Sequence, residues 1–161
     1  MYKRQDGQVA IITGGAQGIG EGICKVFCKA GATVALWDIR DTGATTAETI
    51  KREGGSIFFQ KVDITDRTAV DAAVAEIIEG YGKIDILINN AGVLRDRSFL
   101  KMTQEEWDTV INVNLSALFT TTQSVYPTCV RRDMAASYQP HRSMDLRELL
   151  GKPTTPQPRQ E

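Results

Sequence analysis

The chain has 161 residues, of which 42% are apolar, and this suits one globular domain with a sizeable core. Its 19 Lys and Arg nearly balance 20 Asp and Glu, so no large field favours nucleic acid or an anionic membrane. No apolar run approaches the roughly 20 residues of a membrane-spanning helix, and residues 1–7 lack the apolar stretch of a secretory signal. We therefore expect a cytoplasmic protein that binds a small molecule, without nucleic acid or membrane.

The three cysteines show no metal-ligand spacing, so no metal site is predicted, and their odd number suits a reducing compartment. Cys24 and Cys28 lie four residues apart on a predicted helix, which places them on one face. That spacing allows a redox pair, but it favours two small buried apolar residues.

Apolar runs and turn residues alternate up to about residue 126. Strands are predicted over residues 8–13, 33–38, 56–62 and 83–89, and helices over residues 18–30, 42–53 and 66–81. Thr103 and Glu106 form a capping box that opens a further helix. The apolar positions of that helix suit burial: Trp107, Val110, Ile111, Leu115, Leu118 and Phe119.

Strands separated by helices pair in parallel through right-handed crossovers, so the expected fold is α/β, a doubly wound parallel sheet in the order 3-2-1-4. The first and fourth strands then flank the switch point, where ligands bind beyond the carboxyl ends of strands. Two unusual segments follow these strands: Thr13-Gly14-Gly15-Ala16-Gln17-Gly18-Ile19-Gly20 and Asn89-Asn90-Ala91-Gly92.

The glycine run predicts a dinucleotide site. Glycine permits a tight turn and close backbone approach to a pyrophosphate, while the following helix offers unpaired amides. Asp38 ends the second strand about 20 residues later, where a carboxylate can accept hydrogen bonds from a ribose diol. The same carboxylate would repel a 2'-phosphate, which favours NAD over NADP, although Arg40 can soften that preference. The alternatives are a structural Gly-rich turn and, for Asp38, a turn residue that ends the strand.

Four motifs together resemble the classical short-chain dehydrogenase/reductase family over about residues 8–127. They are Thr13-Gly14-x-x-x-Gly18-x-Gly20, Asp63 in Val62-Asp63-Ile64, Asn89-Asn90-Ala91-Gly92, and Asn114 in Val113-Asn114-Leu115. The resemblance implies a Rossmann-like domain, a usually homo-oligomeric protein, and NAD(P)-dependent hydride transfer between nicotinamide and a carbonyl or hydroxyl substrate.

The resemblance also implies roles for single residues. Gly14, Gly18, Ile19 and Gly20 would line the diphosphate, Asp38 the adenosine ribose, Asp63 and Ile64 the adenine, and Asn90, Ala91 and Gly92 the cofactor by backbone. Asn114 would be the catalytic-tetrad member that holds a proton-relay water through a helix distortion. Taken singly, Asp63 could instead cap a strand-to-helix connection, and Asn89 and Asn90 could form turns. The string Arg95-Asp96-Arg97-Ser98-Phe99 resembles reductases that act on 3-oxoacyl thioesters.

After Pro127 the sequence departs from the family, which continues with a fifth strand ending in a catalytic serine and a helix bearing Tyr-x-x-x-Lys. Residues 128–161 show no apolar strand, and Tyr138 is followed four residues later by Arg142 rather than lysine. We expect an incomplete domain over residues 1–127, truncated after about four strands, and an unstructured segment over residues 128–161. Without a neighbour, the fourth strand would leave an exposed edge.

Our hypothesis for this departure is that residues after about 127 are translated in a shifted reading frame. Codon degeneracy permits the neighbouring frame of residues 132–161 to encode an apolar strand followed by the missing catalytic residues. The serine would arise across His141 and Arg142, the tyrosine across Thr154 and Thr155, and the lysine across Pro158 and Arg159. The coding DNA across codons 125 to 132 tests this frameshift.

Only Asn114 of the family's catalytic group is present, so the chain is expected to turn over no substrate. Loss of an acid–base group removes a factor of about 100 to 10,000 in rate. The alternative function is a non-enzymatic dinucleotide-binding or interaction module that pairs with an intact homologue.

Overall fold

The computed structural model describes residues 5–130 and 136–138. The strands are β1 (Val9–Thr13), β2 (Thr33–Asp38), β3 (Ser56–Lys61), β4 (Ile86–Ile88) and β5 (Ala136–Tyr138). The helices are α1 (Gly18–Lys29), α2 (Thr42–Arg52), α3 (Arg67–Tyr81), α4 (Gln104–Ile111) and α5 (Ala117–Val130). A 3-10 turn (Phe99–Lys101) precedes α4, and a π-helical segment (Asn112–Ser116) joins α4 to α5. Of the helices in the described part of the chain, none is long and apolar enough to cross a bilayer.

The sheet is parallel and has the strand order β3-β2-β1-β4-β5. Its first four strands confirm the predicted order 3-2-1-4. β1 lies between β2 and β4, so Ile11 pairs with Ala35 on one side and Leu87 on the other. All five β1 residues are buried, as expected for a central strand with helices on both faces.

Successive residues of the strands point to opposite faces of the sheet, and each face has its own core. Ile11 packs in the cluster that includes Val70 of α3 and Val125 of α5. Ile12 packs in the cluster that includes Cys24 of α1 and Ile50 of α2. The near-continuous apolar sequence of β1 therefore supports two hydrophobic layers at once.

Cys24 is buried and Cys28 is half-buried, which supports the packing interpretation. Burial raises the pKa of the Cys24 thiol to about 12 and that of the Cys28 thiol to about 11. Because the thiolate is the reactive form, neither thiol is activated for redox chemistry.

The expected end of the sheet is corrected by the structure. β5 pairs in parallel with β4, with Leu87 opposite Ser137, inside the segment that the sequence predicts to be unstructured. β4 is consequently not an open edge between Ile86 and Ile88, and α5 continues through Pro127 to Val130. Three residues are too short a run to give a periodic strand signal. The remaining residues of the predicted 128–161 segment lie outside the described residues.

The predicted burial of the apolar positions around α4 is met only in part, because Val110, Ile111 and Leu118 are half-buried and the other three are exposed. Trp107 is 46% exposed, Leu115 62% and Phe119 66%, and none of the α4 residues is buried. Periodicity predicts which residues share a helix face, but not whether another element covers that face.

β4 is shorter than predicted, and a side chain takes part in the backbone hydrogen bonding at each of its ends. At its start, the Asp85 N–H donates to the Val9 carbonyl at 2.8 Å, and the Asp85 carboxylate accepts from the Val9 N–H at 2.9 Å. Lys83 Nζ lies 2.9 Å from the same carboxylate oxygen. At its end, the Asn90 N–H turns to the Thr13 hydroxyl.

We expect Asp85→Ala to lower the free energy of unfolding by about 1–3 kcal/mol, because the buried Val9 N–H loses its acceptor. Urea denaturation measures this change. Asp96→Ala removes an exposed carboxylate from a loop and should change the free energy of unfolding far less. Equal effects of the two substitutions would contradict a structural role for Asp85.

Candidate functional site

A cleft of about 750 Å³ opens where β1, β2 and β4 end. Its walls are the loops that follow these strands, because the carboxyl ends of parallel strands share one edge of the sheet. All ten residues predicted to contact a cofactor line this cleft: Gly14, Gly18, Ile19, Gly20, Asp38, Asp63, Ile64, Asn90, Ala91 and Gly92. Asn114 is not among the lining residues, and it contacts the cleft wall through Val93.

The β1–α1 turn is packed so closely that two of its glycines admit no side chain. A Cβ on Gly14 would lie 2.8 Å from Ala91 Cα, and one on Gly20 would lie 2.1 Å from the Gly14 carbonyl oxygen. Gly18 differs, because its φ of +58° disfavours other residues while its Cβ position meets no atom within 4 Å. The backbone at Gly18 is therefore open to the cleft.

The N-terminus of α1 supplies free donors at this opening. Gln17, the N-cap residue, makes no side-chain hydrogen bond to the first turn, and the first-turn amides of a helix have no partner within the helix. Gly18, Ile19 and Gly20 line the cleft at this point. Uncapped amides and a positive dipole end beside open space fit the diphosphate of a dinucleotide.

The Thr13 hydroxyl joins the two loops that form the cleft. It accepts hydrogen bonds from the backbone N–H groups of Asn90 and Ala91, both at 3.0 Å. Asn90 Nδ2 in turn donates to the Thr13 carbonyl at 3.0 Å and to the Gly14 carbonyl at 3.2 Å. Thr13 was not predicted as a site residue, although a hydroxyl that ends an apolar strand was a visible signal.

Asp38 presents a buried carboxylate at the end of β2. It accepts from the Ala16 N–H at 3.1 Å, and from the backbone N–H, Nε and Nη2 of Arg40 at 3.1, 3.1 and 3.3 Å. Burial raises the pKa of Asp38, but the bonds from Arg40 and Ala16 outweigh it, so the pKa lies below the usual value. The carboxylate is therefore charged at neutral pH and is tied to the glycine turn through Ala16.

Asp63 follows β3. The sequence left two roles open for it, a contact to the cofactor and a cap on the strand-to-helix connection, and its position is compatible with both. It lines the cleft, and its Oδ1 accepts from the N–H of Thr65 at 2.9 Å and from the Thr65 hydroxyl at 2.7 Å. The carboxylate thus shapes the connection between β3 and α3. Asp66, where the sequence predicted this helix to begin, is the N-cap of α3.

Asn114 lies in the π-helical segment, so the expected helix distortion is present. Its Oδ1 accepts from the Val93 N–H at 2.8 Å, and its Nδ2 donates to the Val93 carbonyl at 2.9 Å. This pair of bonds fixes the loop after β4 to the α4–α5 connection. A role in proton relay remains a prediction.

The cleft is also lined by residues that the sequence did not predict as cofactor contacts. Arg40 was noted only for its charge, and the others gave no spacing signal because they reach the cleft through packing. They are Gln17, Trp37, Ile39, Arg40, Val62, Thr65, Val93, Thr109, Asn112 and Val113.

The doubly wound parallel sheet and a cleft at its switch point define a Rossmann-like α/β protein. The model of the family described as short chain dehydrogenase matches residues 8–136. The chain belongs to the short-chain dehydrogenase/reductase family, whose members use NAD(P).

Relatives and solved structures agree with this family. The chain is 38% identical over 120 residues to a 3-oxoacyl-(acyl-carrier-protein) reductase of Chlamydia pneumoniae. The alignment covers 74% of this chain and 48% of that protein. It is 42% identical over 126 residues to oxidoreductase UcpA of Salmonella typhimurium, with 78% and 48% covered. A citronellol catabolism dehydrogenase of Pseudomonas aeruginosa superposes with a TM-score of 0.80 at 29% identity, with 86% and 57% covered. The chain spans about half the length of the curated relatives it matches.

We expect Thr13→Val, which keeps the side-chain shape, to lower the free energy of unfolding by about 1–3 kcal/mol, because two backbone N–H groups lose their acceptor. Urea denaturation measures the loss. Thr45→Val, an exposed position on α2, is the matched control and should have a small effect. If the two variants unfold alike, the Thr13 hydroxyl does not hold the two loops together.

Proposed function

We propose that this chain binds a nicotinamide dinucleotide in the cleft at the carboxyl ends of β1, β2 and β4, with NAD preferred to NADP. The observation that supports this best is the open backbone at Gly18 beside the uncapped α1 N-terminus, with a charged Asp38 at the end of the neighbouring strand. A diphosphate needs the first feature and a ribose diol the second.

Each wall of the cleft has a proposed binding role. The first-turn amides of α1 hold the diphosphate, Asp38 accepts from the adenosine ribose, and Asp63 and Ile64 flank the adenine. The backbone of residues 90–92 follows the cofactor toward its nicotinamide end. When bound, the dinucleotide supplies hydride transfer at the nicotinamide ring.

We propose that these 161 residues carry out no hydride transfer of their own. In the family, a tyrosine assisted by lysine transfers a proton at the carbonyl or carbinol, and a serine positions the substrate oxygen. After Asn114, the two tyrosines are Tyr126 and Tyr138, followed four residues later by Val130 and Arg142 rather than lysine. An asparagine has no proton to exchange at a useful pKa, so Asn114 cannot replace this acid–base pair.

We propose that the active enzymes to which this chain is related act on a carbonyl or hydroxyl group. Within that group we propose 3-oxoacyl thioesters as the substrate class. The identity to the chlamydial 3-oxoacyl reductase supports this class, as does the string from Arg95 to Phe99. We propose a cytoplasmic location, which the free thiols of Cys24 and Cys28 favour.

A second candidate function is an interaction module that pairs with an intact homologue. Leu115 and Phe119, at 62% and 66% exposure, leave an apolar surface on the π-helical segment and α5 that supports this candidate. Light scattering of the chain mixed with a full-length relative measures whether a complex forms. A complex supports the interaction module, and its absence favours a chain that only binds the dinucleotide.

We expect NAD to bind the full chain without turnover. Isothermal titration calorimetry measures binding, and NADH absorbance in the presence of a 3-oxoacyl thioester measures turnover. An intact family reductase assayed in parallel shows that the substrate and conditions are competent. Turnover by the purified chain would contradict the proposed inactivity, and failure of both NAD and NADP to bind would contradict the proposed site.

We expect Asp38→Ala to weaken NAD binding about tenfold or more, because the ribose loses a charged acceptor. Asp41→Ala is the matched control, since Asp41 is exposed, pairs with Lys61 at 2.8 Å, and does not line the cleft. Calorimetry of both variants, after circular dichroism has verified their folding, measures the difference. Equal NAD affinities for the two variants would contradict the proposed contact between Asp38 and the ribose.

A further inference from the structure

An apolar groove of about 260 Å³ lies at the start of α4, outside the dinucleotide cleft. We call it the α4 groove; it is lined by Phe99, Met102, Thr103, Gln104 and Trp107. None of these residues lines the cleft. Phe99 is 81% exposed and Trp107 is 46% exposed, so both rings offer apolar surface to a docked segment.

The chain leaves the described fold close to this groove. β5 is parallel to β4, with Tyr138 opposite Ile88, so both strands end at the same edge of the sheet. That edge carries the cleft, which Thr109 of α4 also lines. Trp107 precedes Thr109 by two residues, which is about 3 Å along a helix axis. Residues 139–145 span up to about 24 Å when extended, so the residues that follow can reach the groove.

The sequence after Tyr138 contains a stretch with the spacing of an apolar helix face. Leu146, Leu149 and Leu150 stand at positions i, i+3 and i+4, and the residues between them are charged. A helix as short as this one is marginal in water. The pattern therefore favours order only where another surface covers the leucines.

Charge also favours this stretch as the occupant of the groove. Glu105 and Asp108 are exposed on α4, and residues 104–130 contain no Lys or Arg. Within the part of the chain that the structure describes, neither carboxylate forms an ion pair. Arg147 lies between the leucines. An exposed ion pair adds little affinity, but complementary charge fixes the register of a docked segment.

We propose that residues 144–150 dock in the α4 groove of the same chain. The three leucines pack against Phe99 and Trp107, and Arg147 faces the acidic side chains of α4. The groove is then covered from within the chain, without a second copy or another protein. This inference does not depend on dinucleotide binding, and its test uses no dinucleotide.

Trp107 reports on the groove, because the second tryptophan of the chain, Trp37, is fully buried. Acrylamide quenching of fluorescence measures access to the Trp107 ring in the full chain. We expect the unaltered chain to protect this ring, and the double substitution Leu149→Asp and Leu150→Asp to lose the protection, since two carboxylates cannot be buried against aromatic rings without a partner.

Thr154→Asp combined with Thr155→Asp is the matched control. It makes the same change in net charge in the same part of the chain, outside the leucine pattern, and should keep the protection. The variant Trp107→Phe gives the signal of Trp37 alone, which is subtracted from the other measurements.

A substitution on the groove side tests the same contact from its other partner. Phe99→Asp should cause residues 146–150 to lose their protection from hydrogen exchange, measured by mass spectrometry. Leu100→Asp is the matched control, because Leu100 is 97% exposed and does not line the groove. Circular dichroism of each variant verifies that the fold is retained.

The outcomes distinguish the possible occupants. Equal quenching of Trp107 in the unaltered chain and in the leucine variant would overturn the inference, as would equal hydrogen exchange in the Phe99 and Leu100 variants. Light scattering measures the mass in parallel. A monomer with a protected Trp107 supports docking within the chain, whereas a dimer whose protection falls on dilution would assign the groove to a second copy.

Discussion

The cleft depends on the hydrogen bonds between Thr13 and Asn90, which lie 77 residues apart in the chain. β1 and β4 are neighbours in the sheet, but their ladder ends at the pair of Ile12 and Ile88. Beyond that point, side-chain bonds join the two loops, and these include bonds of the Thr13 hydroxyl and the Asn90 amide. The switch point of the fold becomes a defined surface because these polar groups continue the contact where the backbone ladder stops.

Two more side-chain bonds to backbone fix the other walls. Asp38 holds Ala16 across 22 residues, and Asn114 holds Val93 across 21 residues. Each bond joins a loop to a residue outside that loop, so contacts between distant parts of the chain help to fix these walls. A surface held in this way before a ligand arrives loses little freedom on binding. The amides at the α1 N-terminus that we propose as ligand contacts are therefore largely preorganised.

The sequence predicted those parts of the molecule that local physics decides. Alternating apolar runs predicted the strands, and the crossover rule for parallel strands predicted their order. The spacing of Thr103 and Glu106 predicted a capping box that the structure confirms, and the glycine run predicted a tight turn. It could not decide the exposure of Trp107, because a helix face is covered or open according to its neighbours. It also could not show that Arg40 and Ala16 together donate four hydrogen bonds to Asp38, since this requires the positions of the four donors in three dimensions. The sequence did not predict β5, because its three residues form a strand by pairing with β4 and show no hydrophobic pattern of their own.

The proposed binding groups precede, along the sequence, the segment in which family members place their acid–base residues. The amides at Gly18 and the carboxylate of Asp38 lie on loops after β1 and β2, on the half of the sheet that two hydrophobic layers support. On the far side, α5 is joined to α3 by bonds of 2.6 Å from Arg67 to Gln123 and from Ser124 to Asp71. These contacts give α5 a packing partner that does not depend on any residue after 130. If the dinucleotide binds as proposed, its binding rests on a stretch of the chain that precedes the position of the family's acid–base residues, and a change confined to the later stretch can leave the earlier one with its shape.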